Sequence, residues 1–257
     1  MPQISPHTIV EASAEIADDV VIGPFCYIGP EVRIASGCVI DNNVTLVGRT
    51  TLGCRTRVFP MAVIGAAGGG SEAPGECVLG EANAIREHVT IYGGAGTPTR
   101  IGNHNLLMIA SQIGSGAVVG DHGIFDNCTK IGDGATIEDY VRMSGFATVA
   151  GGVRVGAYSF VAAYAGVLRN APPYAMLQGF PVRVRGVNSR NLKACGFGDG
   201  DVHALKSAFR ELFNGPGSET NAKAMKRLAG NAKINPYVRK LVEAVQSAPA
   251  GGELADD

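Results

Sequence analysis

Histidine, serine and aspartate side chains occur in this sequence at intervals of 18 residues. His104 and His122 form one such pair, and Ser115 and Asp133 form another. An imidazole pair could bind a metal ion, and a carboxylate beside a hydroxyl could act as a general base if burial raised its pKa toward neutrality. A metal site needs more than two ligands and no third is evident, so no metal is predicted. The simpler interpretation of both pairs is that they are exposed residues without a chemical role.

A repeat of six residues explains the interval of 18. Large apolar side chains recur at every sixth position from Val10 to Ile64 and from Ile101 to Val167, with Leu79, Ile85 and Ile91 in between. Four residues after most of them, the side chain is small or β-branched. A period of six is neither helical nor a simple strand alternation, but it suits a short strand followed by a tight corner. Three such units make one triangular coil of 18 residues.

The repeat predicts an all-β solenoid, a parallel β-helix of roughly eight coils. Successive coils would pair as parallel strands about 4.8 Å apart, so that both columns of side chains stack into a narrow core. Cys26, Cys38 and Cys77 fall in the column of small side chains and are predicted to be packing residues rather than reactive thiols.

Two interruptions and a change of period divide the chain. The β-helix is predicted over residues 1–183, with loops at 65–78 and 92–100, and a helical C-terminal domain over 184–257. The first loop is glycine-rich and could cradle a phosphate, but it lacks the Gly-Lys-Ser/Thr ending of a P-loop. A lid or a subunit-contact loop is therefore favoured.

The C-terminal domain shows helical spacing. Asp201 is predicted to cap a helix that ends at Gly215-Pro216-Gly217. Its apolar face is expected to comprise Val202, Leu205, Phe209 and Leu212. Further helices are predicted over 219–229 and 236–247.

Composition excludes several classes of function. The net charge is −1 and no motif interleaves basic and aromatic residues, so no nucleic-acid binding is expected. No apolar run approaches the length of a membrane span. The six cysteines contain no Cys-x-x-Cys pair, and the first residues lack the features of a signal peptide. A cytoplasmic location with reduced thiols is the simplest expectation.

Several short motifs resemble a single family over about 200 residues. They are Ile22-Gly23-Pro24-Phe25-Cys26, Ile85-Arg86-Glu87, Val89-Thr90-Ile91, Asn105-Leu106-Leu107-Met108-Ile109, Pro172-Pro173-Tyr174, Gln178-Gly179, Gly186-Val187-Asn188, Leu192-Lys193 and Gly196-Phe197. This combination resembles the UDP-N-acetylglucosamine O-acyltransferases of lipid A biosynthesis, which are hexapeptide-repeat acyltransferases. The resemblance implies a left-handed coil, a homotrimer, and acyl transfer from acyl carrier protein to the 3-hydroxyl of a UDP-sugar, with no cofactor.

The catalytic histidine of the family is missing from the matching position. The resemblance places the family's general base at Ser115 and its aspartate partner at Gly116. Further histidines of the family fall at Gln112, Gly134 and Ala150. The hexad register puts these positions along one edge of successive coils, so the whole site is predicted to have changed together.

The resemblance also supplies candidate binding residues. Substrate binding is predicted at Gln112, Asn127, Gln178, Asn188 and Arg190, the last of which replaces a family glutamate. An arginine pair of the family is replaced by Ala194-Cys195. No catalytic residue is assigned, and Asp133 and Asp126 are alternatives to the base missing at Ser115.

Three functions stay open from the sequence. The first is an acyltransferase acting on a nucleotide sugar, with its base replaced or supplied by the substrate. The second is a non-catalytic homologue that binds a nucleotide sugar, acyl carrier protein or a partner enzyme. The third, and least favoured, is a structural trimeric scaffold.

Overall fold

The computed structural model describes residues 1–68, 73–213, 221–231 and 234–247. Short strands form three long sheets, and each strand pairs in parallel with strands one coil away, as Val21 does with Val39. Sheet A contains β1 (Gln3–Ile4), β4 (Val21–Ile22), β7 (Val39–Ile40), β10 (Arg57–Val58), β13 (Ala84–Ile85), β16 (Leu106–Leu107), β19 (Ile124–Phe125), β22 (Arg142–Met143), β25 (Phe160–Val161), β27 (Ala175–Gln178) and the antiparallel β28 (Arg183–Val187).

The other two sheets complete each triangular coil. Sheet B contains β2 (Ile9–Val10), β5 (Tyr27–Ile28), β8 (Thr45–Leu46), β11 (Val63–Ala66), β14 (Thr90–Tyr92), β17 (Gln112–Ile113), β20 (Lys130–Ile131), β23 (Thr148–Val149) and β26 (Gly166–Val167). Sheet C contains β3 (Glu15–Ile16), β6 (Arg33–Ile34), β9 (Arg49–Leu52), β12 (Glu76–Leu79), β15 (Thr99–Ile101), β18 (Val118–Val119), β21 (Thr136–Ile137) and β24 (Arg154–Val155). We call the turns between sheets corner AB, corner BC and corner CA.

The parallel β-solenoid predicted from the repeat is confirmed, but it is longer than expected. Sheet A runs from β1 to β27 through about ten coils rather than eight. The sequence count began at Val10 and ended at Val167, so it omitted the strands at both ends. At the first end, Ile4 of β1 continues the period of six but was not counted. At the other end the period breaks after Val167, because Leu177 of β27 follows ten residues later.

Both columns of the hexad repeat form the core. The large apolar residues from Ile22 to Val167 are buried, as are the small residues four positions later. Cys26, Cys38 and Cys77 lie in the second column with almost no exposure, which confirms their role in packing. The core is narrow because each coil contributes only a few inward side chains, and its stability therefore depends on the stacking of many coils.

Burial of the Cys77 thiol predicts a loss of stability at high pH. Desolvation raises the pKa of Cys77 to about 12, whereas a thiol in an unfolded chain ionises near 8.5. The folded chain therefore resists forming the thiolate, and the associated stability is complete below the unfolded pKa and is lost as pH rises toward the folded one. We expect the free energy of unfolding, measured with urea, to fall between about pH 9 and 11. The free energy of unfolding of Cys77→Ala should fall less steeply with pH than that of Cys54→Ala. Cys54→Ala is the control, because it removes a half-buried thiol and keeps Cys77. Equal slopes would contradict this expectation.

In the described part of the tail, four helices follow the solenoid: α1 (Ser189–Ala194), α2 (Asp199–Leu212), α3 (Ala222–Ala229) and α4 (Pro236–Gln246). The apolar face predicted for α2 is buried as expected. The predicted N-cap is wrong, because α2 begins three residues earlier, after Gly198, and Asp201 lies inside the helix. Its carboxylate instead accepts a hydrogen bond of 2.7 Å from Asn235, the N-cap of α4, and so ties the two helices together. Gly215-Pro216-Gly217 and the start of the helix predicted at 219 lie outside the described residues.

The first strand of the tail was not predicted. The domain boundary predicted at residues 183 and 184 falls within β28, which extends sheet A by an antiparallel pairing with β27. Among the helices that the structure describes, none is long and apolar enough to cross a membrane.

Candidate functional site

The position matched to the family base lies at corner BC. Ser115 follows β17, and its carbonyl accepts a hydrogen bond of 2.9 Å from the amide of Gly134 on the next coil. Ala150 occupies the same edge one coil further on, directly after β23. The four positions predicted to share an edge, Gln112, Ser115, Gly134 and Ala150, therefore lie along it in the structure.

Asp133 has a structural partner that accounts for its position. Its Oδ1 accepts a hydrogen bond of 2.8 Å from the backbone amide of Ser115. The same contact occurs at corner CA, where Asp121 accepts from Asn103 at 2.7 Å and Asp139 accepts from Asp121 at 2.8 Å. Because the arrangement recurs at corners with different chemistry, it is a feature of the coil. Asp133 is exposed, and the geometry favours a role in stabilising the turn.

Among the residues that the structure describes, the Ser115 hydroxyl is hydrogen-bonded to a backbone carbonyl and to no side-chain base. Its Oγ donates to the carbonyl of Gly93 at 3.0 Å. The next amide, that of Gly116, donates to the hydroxyl of Thr99 at 2.8 Å. Gly93 begins the connection between β14 and β15, and Thr99 is the first residue of β15, so these bonds fix both ends of the connection to the coil that carries Ser115.

Two glycine-rich connections leave the solenoid at corner BC on the coils that precede Ser115. They run over residues 67–75 and 93–98, shorter than the loops predicted at 65–78 and 92–100, because sheet pairing continues into their ends. The connections contact each other through backbone, since Glu76 and Gly94 exchange hydrogen bonds of 3.1 and 2.9 Å. A methyl group at Gly75 would lie 2.6 Å from the backbone of Gly94. This close approach explains why glycines occur at these positions. Residues 69–72 lie outside the described residues.

The outer face of sheet B offers polar groups beside this corner. Gln112 pairs in register with Lys130 and, through it, with Thr148. Lys130 is exposed and lies one coil from Gln112 on the same face. Sequence reasoning missed Lys130, although its position 18 residues after Gln112 carried the signal. A lysine here suits the diphosphate of a nucleotide sugar, because its flexible stem presents a compact positive charge.

Three of the predicted residues lie away from corner BC. Asp126 and Asn127 belong to corner AB, between β19 and β20, where the carbonyl of Asn127 accepts from Phe146 at 3.1 Å. Gln178 ends β27 in sheet A, and the next residue contacts sheet B through Gly166. Within one chain, therefore, Asp126 does not lie beside Ser115 as a substitute base.

The remaining predicted residues lie at corner CA. Asn188 is buried, and its side-chain amide donates a hydrogen bond of 2.9 Å to the carbonyl of Tyr158 at that corner. Arg190 is exposed in α1, the helix that is tied to the same corner by a hydrogen bond of 3.2 Å from Asn191 to Tyr140. The candidate residues are thus divided among three corners of a single chain.

Corner CA carries a ladder of stacked rings. The ring centroids of His104 and His122 lie 5.0 Å apart with an interplanar angle of 2°, as expected for residues at one corner that are separated by one coil of 18 residues. Tyr140 stacks on His122 at 4.7 Å, and Tyr158 stacks on Tyr140 at 4.8 Å. Parallel imidazoles at this spacing are poorly placed to share one ion, because metal–nitrogen bonds are only about 2.0–2.1 Å long. In the described part of the chain, no three histidine, cysteine, aspartate or glutamate side chains are grouped to hold a metal.

The helical tail covers the upper end of the ladder. Phe197 packs edge-on against Tyr158 at 5.0 Å, and Tyr237 contacts Phe197 at 4.5 Å. Burial raises the pKa of Tyr158 and of Tyr174, which stacks above it. The two histidines at the lower end are left exposed.

The coil of hexapeptide units, with a polar edge beneath paired loops, defines a hexapeptide-repeat transferase. A family profile described as bacterial transferase hexapeptide matches residues 13–48, and one described as UDP N-acetylglucosamine O-acyltransferase, domain 2, matches residues 171–252. The acyl-[acyl-carrier-protein]–UDP-N-acetylglucosamine O-acyltransferase of Azorhizobium caulinodans is 40% identical over 98% of this chain and 93% of its own length. This chain belongs to the UDP-N-acetylglucosamine O-acyltransferase family.

Other relatives agree with this assignment. The enzyme of the same name from Saccharophagus degradans is 40% identical over 83% of this chain and 85% of its own length. Among solved structures, the UDP-N-acetylglucosamine acyltransferase of Francisella novicida superposes with a TM-score of 0.90 at 28% identity, covering 97% of this chain and 93% of that one. The fold shared with these proteins is the left-handed parallel β-helix, so the family resemblance and the handedness inferred from the motifs are both confirmed.

Proposed function

We propose that this protein transfers an acyl chain from acyl carrier protein to UDP-N-acetylglucosamine, in the synthesis of a lipid A-type glycolipid. The observation that supports this most is the 40% identity to an enzyme of that name over 98% of the chain. The geometry agrees, because the edge at Ser115 lies beneath two packed loops and beside Gln112 and Lys130. Such an edge offers a cleft wall and a positive charge for a nucleotide sugar.

We further propose that the protein is a homotrimer in the cytoplasm and that corner AB of each protomer points toward the threefold axis. Exposed apolar side chains recur at this corner on about every second coil, with Asn43, His88 and Asn127 on the coils between them. They are Phe25 (64% exposed), Met61 (49%), Ile109 (38%), Phe146 (51%) and Tyr164 (72%). Large apolar side chains exposed repeatedly along one corner are typical of a protein contact.

The three outer faces differ in a way that supports this arrangement. The outer face of sheet C carries surface ion pairs between Glu15 and Arg33, between Arg49 and Glu76, and between Glu138 and Arg154. The outer face of sheet A is mainly apolar, with Val21, Val39, Leu106, Ile124, Phe160 and Met176. Charged residues are depleted at the centre of protein interfaces. Sheet C therefore faces solvent, and sheet A contacts sheet B of the next protomer.

The helical tail suits an acidic carrier protein. In residues 183–247, lysines and arginines outnumber aspartates and glutamates by twelve to five. The chain as a whole has a net charge of −1, so positive charge is concentrated in this part. Complementary charge of this kind guides association and selects partners.

Incubation of the protein with acyl-carrier-protein thioesters of several chain lengths and UDP-N-acetylglucosamine should yield an acylated sugar nucleotide. Lys130→Ala should raise KM for the sugar nucleotide about tenfold while kcat changes little, because the lysine contacts the nucleotide rather than the reacting atoms. Arg33→Ala on the outer face of sheet C is the matched control and should behave as the wild type. Absence of product at every chain length would contradict the proposed activity.

A non-catalytic binding function is the second candidate. It is favoured by one observation: none of the five histidines lies at corner BC, since His7 and His88 belong to corner AB, His104 and His122 to corner CA, and His203 to α2. This function predicts that UDP-N-acetylglucosamine raises the thermal midpoint while no product forms. Restoring histidine with Ser115→His and Gln112→His would then test whether the cleft still accepts the family's substrates.

A further inference from the structure

Ser115 and the two stacked histidines lie on the same level of the solenoid. Ser115 is 11 residues after His104 and 7 residues before His122, so all three fall within about one coil. Because a coil rises about 4.8 Å, Ser115 is only about 2 Å from the level of His122 and about 3 Å from that of His104. Within one chain, however, the serine is at corner BC and the histidines are at corner CA.

A threefold assembly brings these two corners together. With corner AB at the axis, sheet A of one protomer faces sheet B of the next, as proposed above. The far edge of sheet A is corner CA, and the far edge of sheet B is corner BC. These two edges therefore meet at the outer rim of each contact. Rotation about an axis parallel to the solenoid leaves heights unchanged, so His122 arrives at the level of the neighbour's Ser115.

We infer that His122 is the general base of the acyl transfer and acts in trans, at the Ser115 corner of the neighbouring protomer. This inference rests on the proposed acyltransferase function and on the trimer. The position that the family fills with histidine from its own chain is filled here by serine, and the imidazole comes from the adjacent chain. Asn188 and Arg190, which lie at corner CA, would reach the same cleft from the same neighbour.

The structure holds the His122 ring firmly while leaving it accessible. The ring is stacked between His104 and Tyr140, at 5.0 and 4.7 Å, and the side chain is exposed. Its backbone amide donates to the carbonyl of Asn103 at 2.9 Å. A base held by stacking on both faces can keep its edge nitrogen directed outward, which is the geometry that proton transfer to a bound substrate requires.

The chemistry of this step balances without a cofactor. The imidazole of His122 takes the proton from the 3-hydroxyl of the sugar as the oxygen attacks the thioester carbonyl of the acyl carrier. Collapse of the tetrahedral intermediate breaks the carbon–sulfur bond and forms the ester. The imidazolium then returns its proton to the departing thiolate, so the base is regenerated in each cycle.

Mixed trimers test the inference directly. His122→Gln alone and Ser115→Arg alone should each lower kcat by about 100-fold or more. His122→Gln removes the base, and Ser115→Arg fills corner BC, where the base of the neighbouring protomer would act. When the two variant chains are co-expressed in equal amounts with different tags, they form mixed trimers. In each mixed trimer, one of the three contacts joins a native His122 to a native Ser115. Activity should return to about a quarter of the wild-type value. Gln112→Arg serves as a second corner variant if Ser115→Arg does not fold, and His203→Gln is the control for loss of a histidine.

The outcomes separate this inference from the proposed function. A wild-type protein that makes no product overturns the function, and the inference with it. An active wild type whose His122→Gln variant retains more than half of its kcat overturns the inference alone. The inference is also overturned if mixed trimers, verified by mass, are as inactive as the two single variants. The serine and the base would then belong to one chain.

Discussion

Phe146→Asp is expected to convert the proposed trimer into folded monomers and to reduce acyl transfer more than about 100-fold, because truncating an aromatic hot spot in an interface costs about 2 kcal/mol or more at each contact. Three copies of Phe146, each stacked on Tyr164 at 5.1 Å, would meet near the threefold axis. The substitution also brings three carboxylates together there. The oligomeric state is measured by mass in solution, and activity by product formation.

The backbone at this position makes the substitution informative. Phe146 has a φ of 61°, a left-handed conformation that aspartate adopts more readily than phenylalanine does. The monomer should therefore keep its fold, as checked by circular dichroism. Val118→Asp, on the outer face of sheet C at a residue 37% exposed, is the matched control and should remain an active trimer. A Phe146→Asp protein that stays trimeric would show that corner AB does not face the axis.

Phe125→Ala should lower the free energy of unfolding by about 3–5 kcal/mol, the usual cost of removing a buried aromatic ring. Phe125 is fully buried in sheet A, between Leu107 and Met143 on adjacent coils. Its ring occupies space left by Gly123, where a Cβ would lie 2.6 Å from ring atoms. Thermal or urea unfolding must be compared at one protein concentration, because assembly adds to the apparent stability.

The fit between Phe125 and Gly123 provides an internal control. Gly123→Ala alone should destabilise the protein, since the added methyl group collides with the ring. In a Phe125→Leu background, the same Gly123→Ala change should cost less, because the clash with the ring is removed and only that with Asn105 Oδ1, at 2.8 Å, is left. Additive effects of the two changes would show that the ring and the glycine do not share this space.

Much of the fold followed from the sequence because a strict period constrains every coil in the same way. Spacing by six determined which residues are buried, from Ile22 to Val167, and which cysteines are packing residues. The stack of His104 on His122 followed from their separation by one coil. Where the period ends, prediction weakened: the antiparallel β28 and the true start of α2 were both missed, because they depend on contacts between the tail and the last coil.

For the site, the sequence by itself determined which residues lie along the same edge of the solenoid. The structure decided which candidate residues lie at different corners. Ser115 lies at corner BC with Gln112 beside it in β17, whereas Asn188 and Arg190 lie at corner CA and Asp126 at corner AB. Periodicity gives the position of a residue along and around its own coil. It carries no information on where a tail folds back, because that depends on packing between segments distant in sequence. The division of the candidate residues among corners, and with it the case for a cleft shared by two protomers, came only from the tertiary structure.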